Sequence, residues 1–341
     1  MKKIYYIIIL LICILIGLNG MVQAETSFKI NNNIFYKSNA IPLKKISGFI
    51  EKNYKGMSSH YKKDIYINTN FESNVLCEDQ GIILGYVYKR QDYMNFDNEA
   101  INYFVESAND IKHTQNNYKL KLISLKQVVE GIKFGYKFPL DKRENLVVTV
   151  SGEYLEGKEL TKRKYEAQAV KGKDRYYMTG KRSGIYSNLT NQTEMYDVHL
   201  KSKGYSLGCD LLYYLSPDVK FEIKADNLYS RINWEDVYTD YYDYDQGIGR
   251  FSYKNYTTRL IPKYNISINN NRYGLGVYIF SDISSYIKYH LPKNNIRISY
   301  YLDNHLDLSF QYKGFEVEII SDCDLFSSKS ILANVNYGYQ F

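Results

Sequence analysis

Cysteine is too scarce and too scattered in this sequence to form a disulfide scaffold. The chain has four cysteines in 341 residues. Cys13 lies in an apolar N-terminal run, which leaves the widely separated Cys77, Cys209 and Cys323. An odd number of isolated cysteines also argues against a CxxC-type metal site. We therefore expect a fold that is held together by packing and hydrogen bonds, without disulfides or a structural metal.

Proline and long apolar runs are also rare. Five prolines occur in the whole chain, and no segment after residue 24 approaches the roughly 20 apolar residues of a membrane-spanning helix. A glycine-rich phosphate loop and a basic patch typical of nucleic-acid binding are both absent. The sequence thus predicts no cofactor and no nucleic-acid partner.

Residues 1–24 have the three parts of a secretory signal peptide. Lys2 and Lys3 precede an apolar run from residue 4 to residue 18, and Val22-Gln23-Ala24 forms a small-residue cleavage pattern. The run is shorter than a spanning helix requires, which is roughly 20 residues. We predict that the protein is exported and that its mature form begins at Glu25.

Aromatic residues, in contrast, are abundant and lie in segments of alternating polarity. The chain has 38 tyrosines and 15 phenylalanines. In GIKFGYKF, Ile132, Phe134, Tyr136 and Phe138 alternate with lysine and glycine. Side chains of a strand point alternately to its two faces, so each such segment has one apolar and one polar face. The same alternation recurs in residues 65–75, 144–154, 219–227, 295–302, 305–312, 314–320 and 330–341.

Short turns alternate with long polar connections between these segments. Turn residues follow several of them, as in Ser216-Pro217-Asp218 and Lys313-Gly314, whereas 94–117, 155–193 and 232–250 are long insertions. This pattern is typical of an all-β, antiparallel up-and-down transmembrane β-barrel. We predict 12–16 strands, with 14 as the best single number, within residues 64–341, and a periplasmic or plug segment at 25–63.

A secreted soluble β-sandwich is the alternative fold, because it also produces alternating polarity. It does not account for aromatic residues at the ends of strands or for the low number of prolines. Aromatic residues at strand ends are typical of the girdles that lie at the two membrane interfaces. We therefore favour the membrane barrel.

The segment SILANVNYGYQF resembles the C-terminal assembly signal of bacterial outer-membrane β-barrel proteins. Tyr337, Tyr339 and Phe341 alternate there with polar or small residues. The resemblance implies recognition by the barrel-assembly machinery, pairing of this strand with the first strand, and a location in the bacterial outer membrane. It identifies a class of protein and not an activity.

Polar residues that alternate with the lipid-facing ones are candidates for lining a pore. Both signs of charge occur among them, so the pattern fits a porin-like channel for small solutes or a lumen closed by ion pairs. The candidates are Lys133, Lys137, Glu153, Lys220, Glu222, Lys224, Asp226, Arg297, Asp307, Glu316 and Glu318.

Two further functional hypotheses remain. Asp197 and His199 share one face of a candidate strand, where an aspartate can orient a histidine for general-base catalysis. This pair resembles that of the omptin outer-membrane proteases, although no second acidic pair is evident. A surface-exposed binding barrel is the other hypothesis, and the lysine-rich segment 158–175 could contact lipopolysaccharide. A passive channel is the function that we favour from the sequence.

Overall fold

The computed structural model describes residues 27–38, 64–143, 145–187, 201–280, 282–291, 296–301, 305–312, 315–321 and 330–340. These residues form sixteen strands and one helix. The elements in chain order are β1 (Ser27–Ser38), β2 (Ile65–Asp79), β3 (Ile82–Phe96), α1 (Asn98–Ala108), β4 (Asn117–Pro139), β5 (Leu146–Lys171), β6 (Tyr176–Tyr186), β7 (Lys201–Ser216), β8 (Val219–Asp243), β9 (Ile248–Thr258), β10 (Lys263–Asn270), β11 (Tyr273–Phe280), β12 (Asp282–Leu291), β13 (Ile296–Tyr301), β14 (His305–Tyr312), β15 (Phe315–Ser321) and β16 (Ser330–Gln340).

Fourteen of the strands form a ring of antiparallel pairings. The order is β1 to β5, then β7, β8 and β10, and then β11 to β16, which pairs with β1. Every strand in this ring has two neighbours, so none is left with an unpaired edge. The structure confirms the predicted antiparallel up-and-down architecture, and the number of strands falls within the predicted range of 12–16.

The other two strands, β6 and β9, continue two strands of the wall. β5 pairs with β7 through Leu146–Leu155 and with β6 through Thr161–Lys171. In the same way, β8 pairs with β10 along its first half and with β9 along its second half. Thus β6 and β7 occupy one position in the order of the wall, and β9 and β10 occupy another. The up-and-down order of the wall is therefore kept throughout.

A band of exposed apolar side chains surrounds the ring. Ile132, Phe134 and Tyr136 on β4 are exposed, and the alternate Lys133 and Lys137 line the interior. Exposed apolar side chains on the other strands include Leu84, Val150, Leu207, Ile268, Leu275, Ile287, Ile298, Leu308, Phe310 and Val335. A soluble sandwich would bury such residues between two sheets, whereas a membrane barrel presents them to lipid.

The polarity of the wall reverses above this band. On β8 the outward residues change from Tyr229 to Arg231 and Glu235, while Ile232 and Trp234 point inward and are fully buried. Exposed outward residues at a similar height form a charged belt, which consists of Glu156, Lys201, Lys203, Arg231 and Glu235. Charged side chains on the outer face are expected where that face contacts water and not lipid. These strands therefore extend beyond the bilayer, at the end of the barrel that carries the long connections. Long connections lie on the extracellular side of outer-membrane barrels.

The helix α1 packs on this extracellular extension. Asp97 caps it, because the carboxylate accepts a hydrogen bond from the backbone N–H of Ala100 at 2.7 Å. Its apolar face contains Ile101 and Val105, which are fully buried against a cluster that includes Ile65 and Phe96. The described part of the chain contains no helix with both the length and the apolar composition needed to cross a membrane.

The structure corrects the domain boundaries that the sequence suggested. Residues 27–38, assigned above to a periplasmic or plug segment, form the wall strand β1 between β2 and β16. The barrel therefore begins before Asp64, and the assignment of these residues to a plug was wrong. The alternation of Phe28, Ile30 and Ile34 is interrupted by the outward Asn32, which explains why the strand was missed. The signal peptide at 1–24 lies outside the described residues and stays a prediction.

Candidate functional site

The ring encloses a polar cavity of about 670 Å³. Asparagine is prominent in its wall, where Asn31 and Asn33 of β1 lie directly opposite Asn336 and Asn334 of β16. Six of the residues predicted to line a pore contribute to this cavity, namely Lys133, Lys137, Glu222, Lys224, Asp226 and Glu318. The alternation of polarity along the strands is what places these side chains on the inner face.

Most lysines of the cavity wall lie close to carboxylates. Lys29 and Lys137 both contact Glu78, with Nζ to carboxylate oxygen distances of 2.6 Å and 3.1 Å. Lys224 Nζ lies 2.9 Å from Glu222 and Lys288 Nζ lies 3.8 Å from Glu318. A solute in the cavity would therefore meet pairs of opposite charge and amide groups, and no large excess of one sign.

One side of the lumen is closed by a buried ionic cluster. Lys89, which is only 2% exposed, donates hydrogen bonds to both carboxylate oxygens of Glu153 at 2.8 and 2.6 Å and to Asn227 Oδ1 at 2.9 Å. Its Nζ is also 3.8 Å from Glu72, which accepts a hydrogen bond from Lys263. We call these five residues the Lys89 cluster. It joins β2, β3, β5, β8 and β10 across the lumen.

A short connection, residues 259–262 between β9 and β10, folds inward above this cluster. Gln127 donates a hydrogen bond to the carbonyl of Arg259 at 2.9 Å, and Gln91 accepts one from the N–H of Ile261 at 3.3 Å. Leu260 is buried against Trp234 and its neighbours in the upper lumen. We call residues 259–262 the inward segment. Together with the Lys89 cluster it restricts the lumen on the side of β3, β4 and β8.

The remaining predicted lining residues lie elsewhere. Glu153 is buried in the Lys89 cluster, Lys220 is exposed near the turn at Pro217, and Glu316 lies outside the cavity wall. The side chains of Arg297 and Asp307 lie outside the description, although their backbones belong to β13 and β14. Their role as pore residues stays a prediction.

The predicted catalytic pair, Asp197 and His199, falls within residues 188–200, outside the described residues. The omptin-like hypothesis thus remains a prediction. Tyr337 and Tyr339 are exposed on the outer face of β16, and Phe341 lies outside the described residues. The pairing of β16 with β1 agrees with what the assembly-signal resemblance implied about the last strand.

The sequence analysis missed several residues of the lumen. Lys29, Asn31 and Asn33 were missed because β1 was not recognised as a strand. Lys89 could have been identified, because it alternates with Tyr86 and Tyr88 in YVYKR, where lysine takes the inward position. The inward segment has no sequence signal of its own beyond Pro262.

A second cluster of polar residues lies beside α1 on the extracellular extension. The fully buried carboxylate of Glu106 accepts hydrogen bonds from Tyr118 Oη at 2.5 Å and Thr114 Oγ1 at 3.0 Å, and it lies 3.1 Å from His113 Nδ1. Burial by itself raises the pKa of Glu106, but the hydrogen bonds from Tyr118, Thr114 and His113 outweigh burial and lower it below the usual 4.5. Glu106 therefore fixes the connection after α1 as a carboxylate.

Replacing Glu106 by Gln should loosen α1 and the connection that follows it. The amide loses the negative charge and places an NH₂ group against hydroxyl donors, at a cost of about 2 kcal/mol. We expect roughly thirtyfold faster amide hydrogen exchange in residues 98–118, since about 1.4 kcal/mol corresponds to a factor of ten.

The matched control is Asp110→Asn, because Asp110 lines the same surface cavity but is exposed. Because the pKa of Glu106 is lowered in the folded state, the ionised carboxylate contributes to stability above pH 4.5. This contribution to the free energy of unfolding is lost as the pH falls through the lowered pKa. Wild-type protection factors of this region should consequently fall on acidification, while those of Glu106→Gln stay constant. Equal protection in wild type and Glu106→Gln at neutral pH would contradict the assignment.

Comparisons with known proteins return only distant similarities. No protein-family model and no curated protein sequence matches the chain. Among solved structures, the TodX deltaS2S3 mutant monoaromatic hydrocarbon channel is 9% identical, with 95% of this chain and 91% of that chain covered and a TM-score of 0.45. The toluene transporter TbuX of Ralstonia pickettii is 8% identical, with 94% and 91% covered and a TM-score of 0.34. The outer membrane protease OmpT from Escherichia coli is 9% identical, with 93% and 96% covered and a TM-score of 0.24.

These identities and TM-scores are too low to transfer an activity. The strand pairings and the exposed apolar band of this chain carry the assignment of its architecture. The fold is that of an outer-membrane β-barrel. Its function has to be argued from the lumen and the extracellular surface.

Proposed function

We propose that this protein is a passive channel for small polar solutes in a bacterial outer membrane. The observation that carries the proposal is the polar cavity inside the ring of strands, lined by asparagines and by lysine–carboxylate pairs. A lumen built only for structural support would be filled with side chains, as in small eight-stranded barrels. Fourteen strands enclose more space than the Lys89 cluster and the inward segment fill.

The cavity wall favours neutral or zwitterionic solutes. Asparagine side chains offer both donors and acceptors, and the paired charges at Glu78 and Glu222 give little net attraction for one ionic sign. A hydrocarbon there would cover amide and charged groups without replacing their hydrogen bonds to water, at a cost of about 1–3 kcal/mol per group. TodX is a monoaromatic hydrocarbon channel and TbuX a toluene transporter, whereas the wall of this cavity fits polar molecules better.

The size of the open space supports small solutes. A cavity of about 670 Å³ lies within the range of pockets that hold small molecules, about 300–1,000 Å³. The Lys89 cluster and the inward segment border this cavity, since Glu72 and Lys263 also line it, and both are anchored by several hydrogen bonds. The pathway that we propose runs along β1, β16 and β12, where Asn31, Asn336 and Lys288 face the cavity.

The remaining predictions from the sequence belong to this proposal. Export would require cleavage after Ala24, and insertion would use the barrel-assembly machinery, with Tyr337, Tyr339 and Phe341 as its recognition signal. Lipopolysaccharide would surround the extracellular half of the apolar band. The passive role requires no cofactor.

Single-channel conductance of the reconstituted protein tests the proposal. We expect discrete conductance steps with weak ion selectivity, and uptake of neutral sugars or zwitterionic amino acids in a liposome-swelling assay. Asn336→Trp should lower the conductance by roughly half or more, because the indole fills part of the narrow pathway.

Val335→Trp is the matched control, because Val335 is exposed on the outer face of the same strand and would present the indole to lipid. Wild-type conductance in Val335→Trp and reduced conductance in Asn336→Trp would place the pathway beside β16. A wild-type protein that inserts as a folded barrel but shows neither conductance nor solute uptake would refute the channel.

A further inference from the structure

The outer face of the extracellular extension carries a row of aromatic rings. Tyr186 of β6, Tyr238 of β8 and Tyr253 of β9 lie opposite one another in register, with ring centroids 6.3 and 5.9 Å apart. Phe251 stacks on Tyr238, with centroids 6.2 Å apart and planes at 20°. With Tyr242, these residues form a surface that we call the tyrosine face.

The tyrosine face is exposed and lies above the membrane. Phe251 is 74% exposed and Tyr253 is 47% exposed. Along β8, the exposed Arg231 and Glu235 of the charged belt separate Tyr238 from the apolar band that ends at Tyr229. Lipid contact therefore does not account for these rings, and the channel does not use them.

Polar groups accompany the rings on the same face. The guanidinium of Arg163 lies 5.4 Å from the ring centre of Tyr186, and that of Arg182 lies 5.7 Å from that of Tyr242. Arg182 and Asp240 approach each other at 3.7 Å, but Arg182 Nε and Asp240 Oδ1 are buried and have no hydrogen-bond partner. Those two atoms are inaccessible, but the Arg182 and Asp240 side chains are partly exposed, so their other polar atoms can bind a ligand.

Gly184 allows the Tyr186 ring and Asp240 to pack close to the backbone of β6. It lies in register between Arg163 and Asp240, and a Cβ atom at this position would overlap the Tyr186 ring and Asp240 Oδ1. Flat rings beside one carboxylate and two guanidinium groups form a surface with both apolar and hydrogen-bonding parts.

We propose that the tyrosine face binds a neutral extracellular carbohydrate. A sugar ring presents an apolar face of C–H groups, which stacks on Tyr238 and Phe251, and a rim of hydroxyl groups, which hydrogen-bond to Arg182 and Asp240. Arg182 and Asp240 compensate each other's charge, and Arg163 adds one positive charge beside the Tyr186 ring, so the face offers hydrogen-bond donors and acceptors to the hydroxyl groups of a sugar. Pairing of β6, β8 and β9 fixes the backbone positions from which the rings project, so the spacing of the rings is set before binding.

Affinity electrophoresis of the detergent-solubilised full chain tests this inference. The probes are four neutral polysaccharides cast into native gels: dextran, amylopectin, hydroxyethyl cellulose and galactomannan. We expect the wild-type protein to be retarded by at least one of them. Phe251→Ala should weaken this binding about tenfold, which corresponds to 1.4 kcal/mol, and Tyr238→Ala should weaken it by a similar factor.

Phe251 is so exposed that its replacement leaves the packing of the sheet intact, and heat-modifiable migration confirms the folded barrel in each variant. Tyr241→Ala is the matched control, because Tyr241 lies on the opposite face of the same strand. This variant should bind as the wild type does.

Absence of wild-type retardation in all four gels, or undiminished retardation of Phe251→Ala and Tyr238→Ala, would overturn the proposal. A wild-type dimer in sedimentation that Phe251→Ala converts to a monomer would overturn it too, by assigning the face to a second copy of the chain. Conductance should be unchanged in these variants, so the outcome is independent of the proposed channel.

Discussion

Replacing Lys89 by methionine should lower the free energy of unfolding by about 3 kcal/mol, because Glu153 would stay buried without its counter-charge. Both carboxylate oxygens of Glu153 accept hydrogen bonds from Lys89, and the next lysine, Lys133, is 3.8 Å away. Glu72 would be affected less, since it also binds Lys263. Asn227 would keep the hydrogen bond from Ser206.

The second variant, Lys89→Met with Glu153→Gln, separates the buried charge from the loss of packing. It removes both partners of the ion pair, and pairs replaced in this way by neutral groups cost little or nothing. We expect the double variant to recover most of the lost free energy of unfolding. The measurements are urea unfolding in detergent micelles and the temperature at which the protein no longer migrates as a compact form on a gel. Equal destabilisation in both variants would show that Lys89 acts through packing and not through charge.

The architecture could be predicted because lipid imposes a two-residue period on every strand that crosses it. In residues 132–138 each apolar side chain faces outward and each lysine faces the cavity, and both assignments follow from the sequence alone. The turn chemistry at Pro217 and Gly314 then separates successive strands and limits their number. Because these signals are local, an approximate number of strands could be predicted without knowledge of the contacts, although β1 was missed.

The extracellular extension could not be predicted in the same way. Residues 155–193 and 232–250 were assigned to long loops, but the structure extends β5 to Lys171 and β8 to Asp243 and adds β6 and β9. Between Arg231 and Glu235 of β8 the outer face is charged and the inner face is apolar, which inverts the pattern that marks a membrane strand. Trp234 and Ile232 therefore appeared to belong to an irregular segment, although they are fully buried.

The closed side of the lumen depends on contacts that no local pattern contains. Gln127 and Arg259 are 132 positions apart, and Lys89 and Asn227 are 138 positions apart. An alternating pattern shows that Lys89 points inward, but it does not show which carboxylate it meets. The lining of a pore is thus partly predictable, whereas its constriction is a property of the closed ring.

The double substitution Tyr337→Asp with Tyr339→Asp should block insertion of the barrel. Both side chains are exposed on the outer face of β16, opposite Ile30 and Phe28 of β1, where the ring of strands closes. A carboxylate near the membrane interface costs on the order of 1 kcal/mol, which is small beside the stability of a closed barrel. A complete block would therefore reflect failure to recognise β16 and to close the last pairing, which leaves unpaired strand edges in hydrocarbon.

The control places the same two charges on the other face of the same strand. Asn336→Asp with Gly338→Asp points both carboxylates inward, and the nearest atom to a Cβ at Gly338 is Lys29 Cγ at 3.9 Å, so the site has room. We expect this variant to reach the outer-membrane fraction and to migrate as a compact form before heating, while the Tyr337/Tyr339 variant does neither. Normal insertion of the Tyr337/Tyr339 variant would contradict the assembly signal. Failure of both variants would show that charge on β16, and not the lipid-facing aromatic pattern, controls assembly.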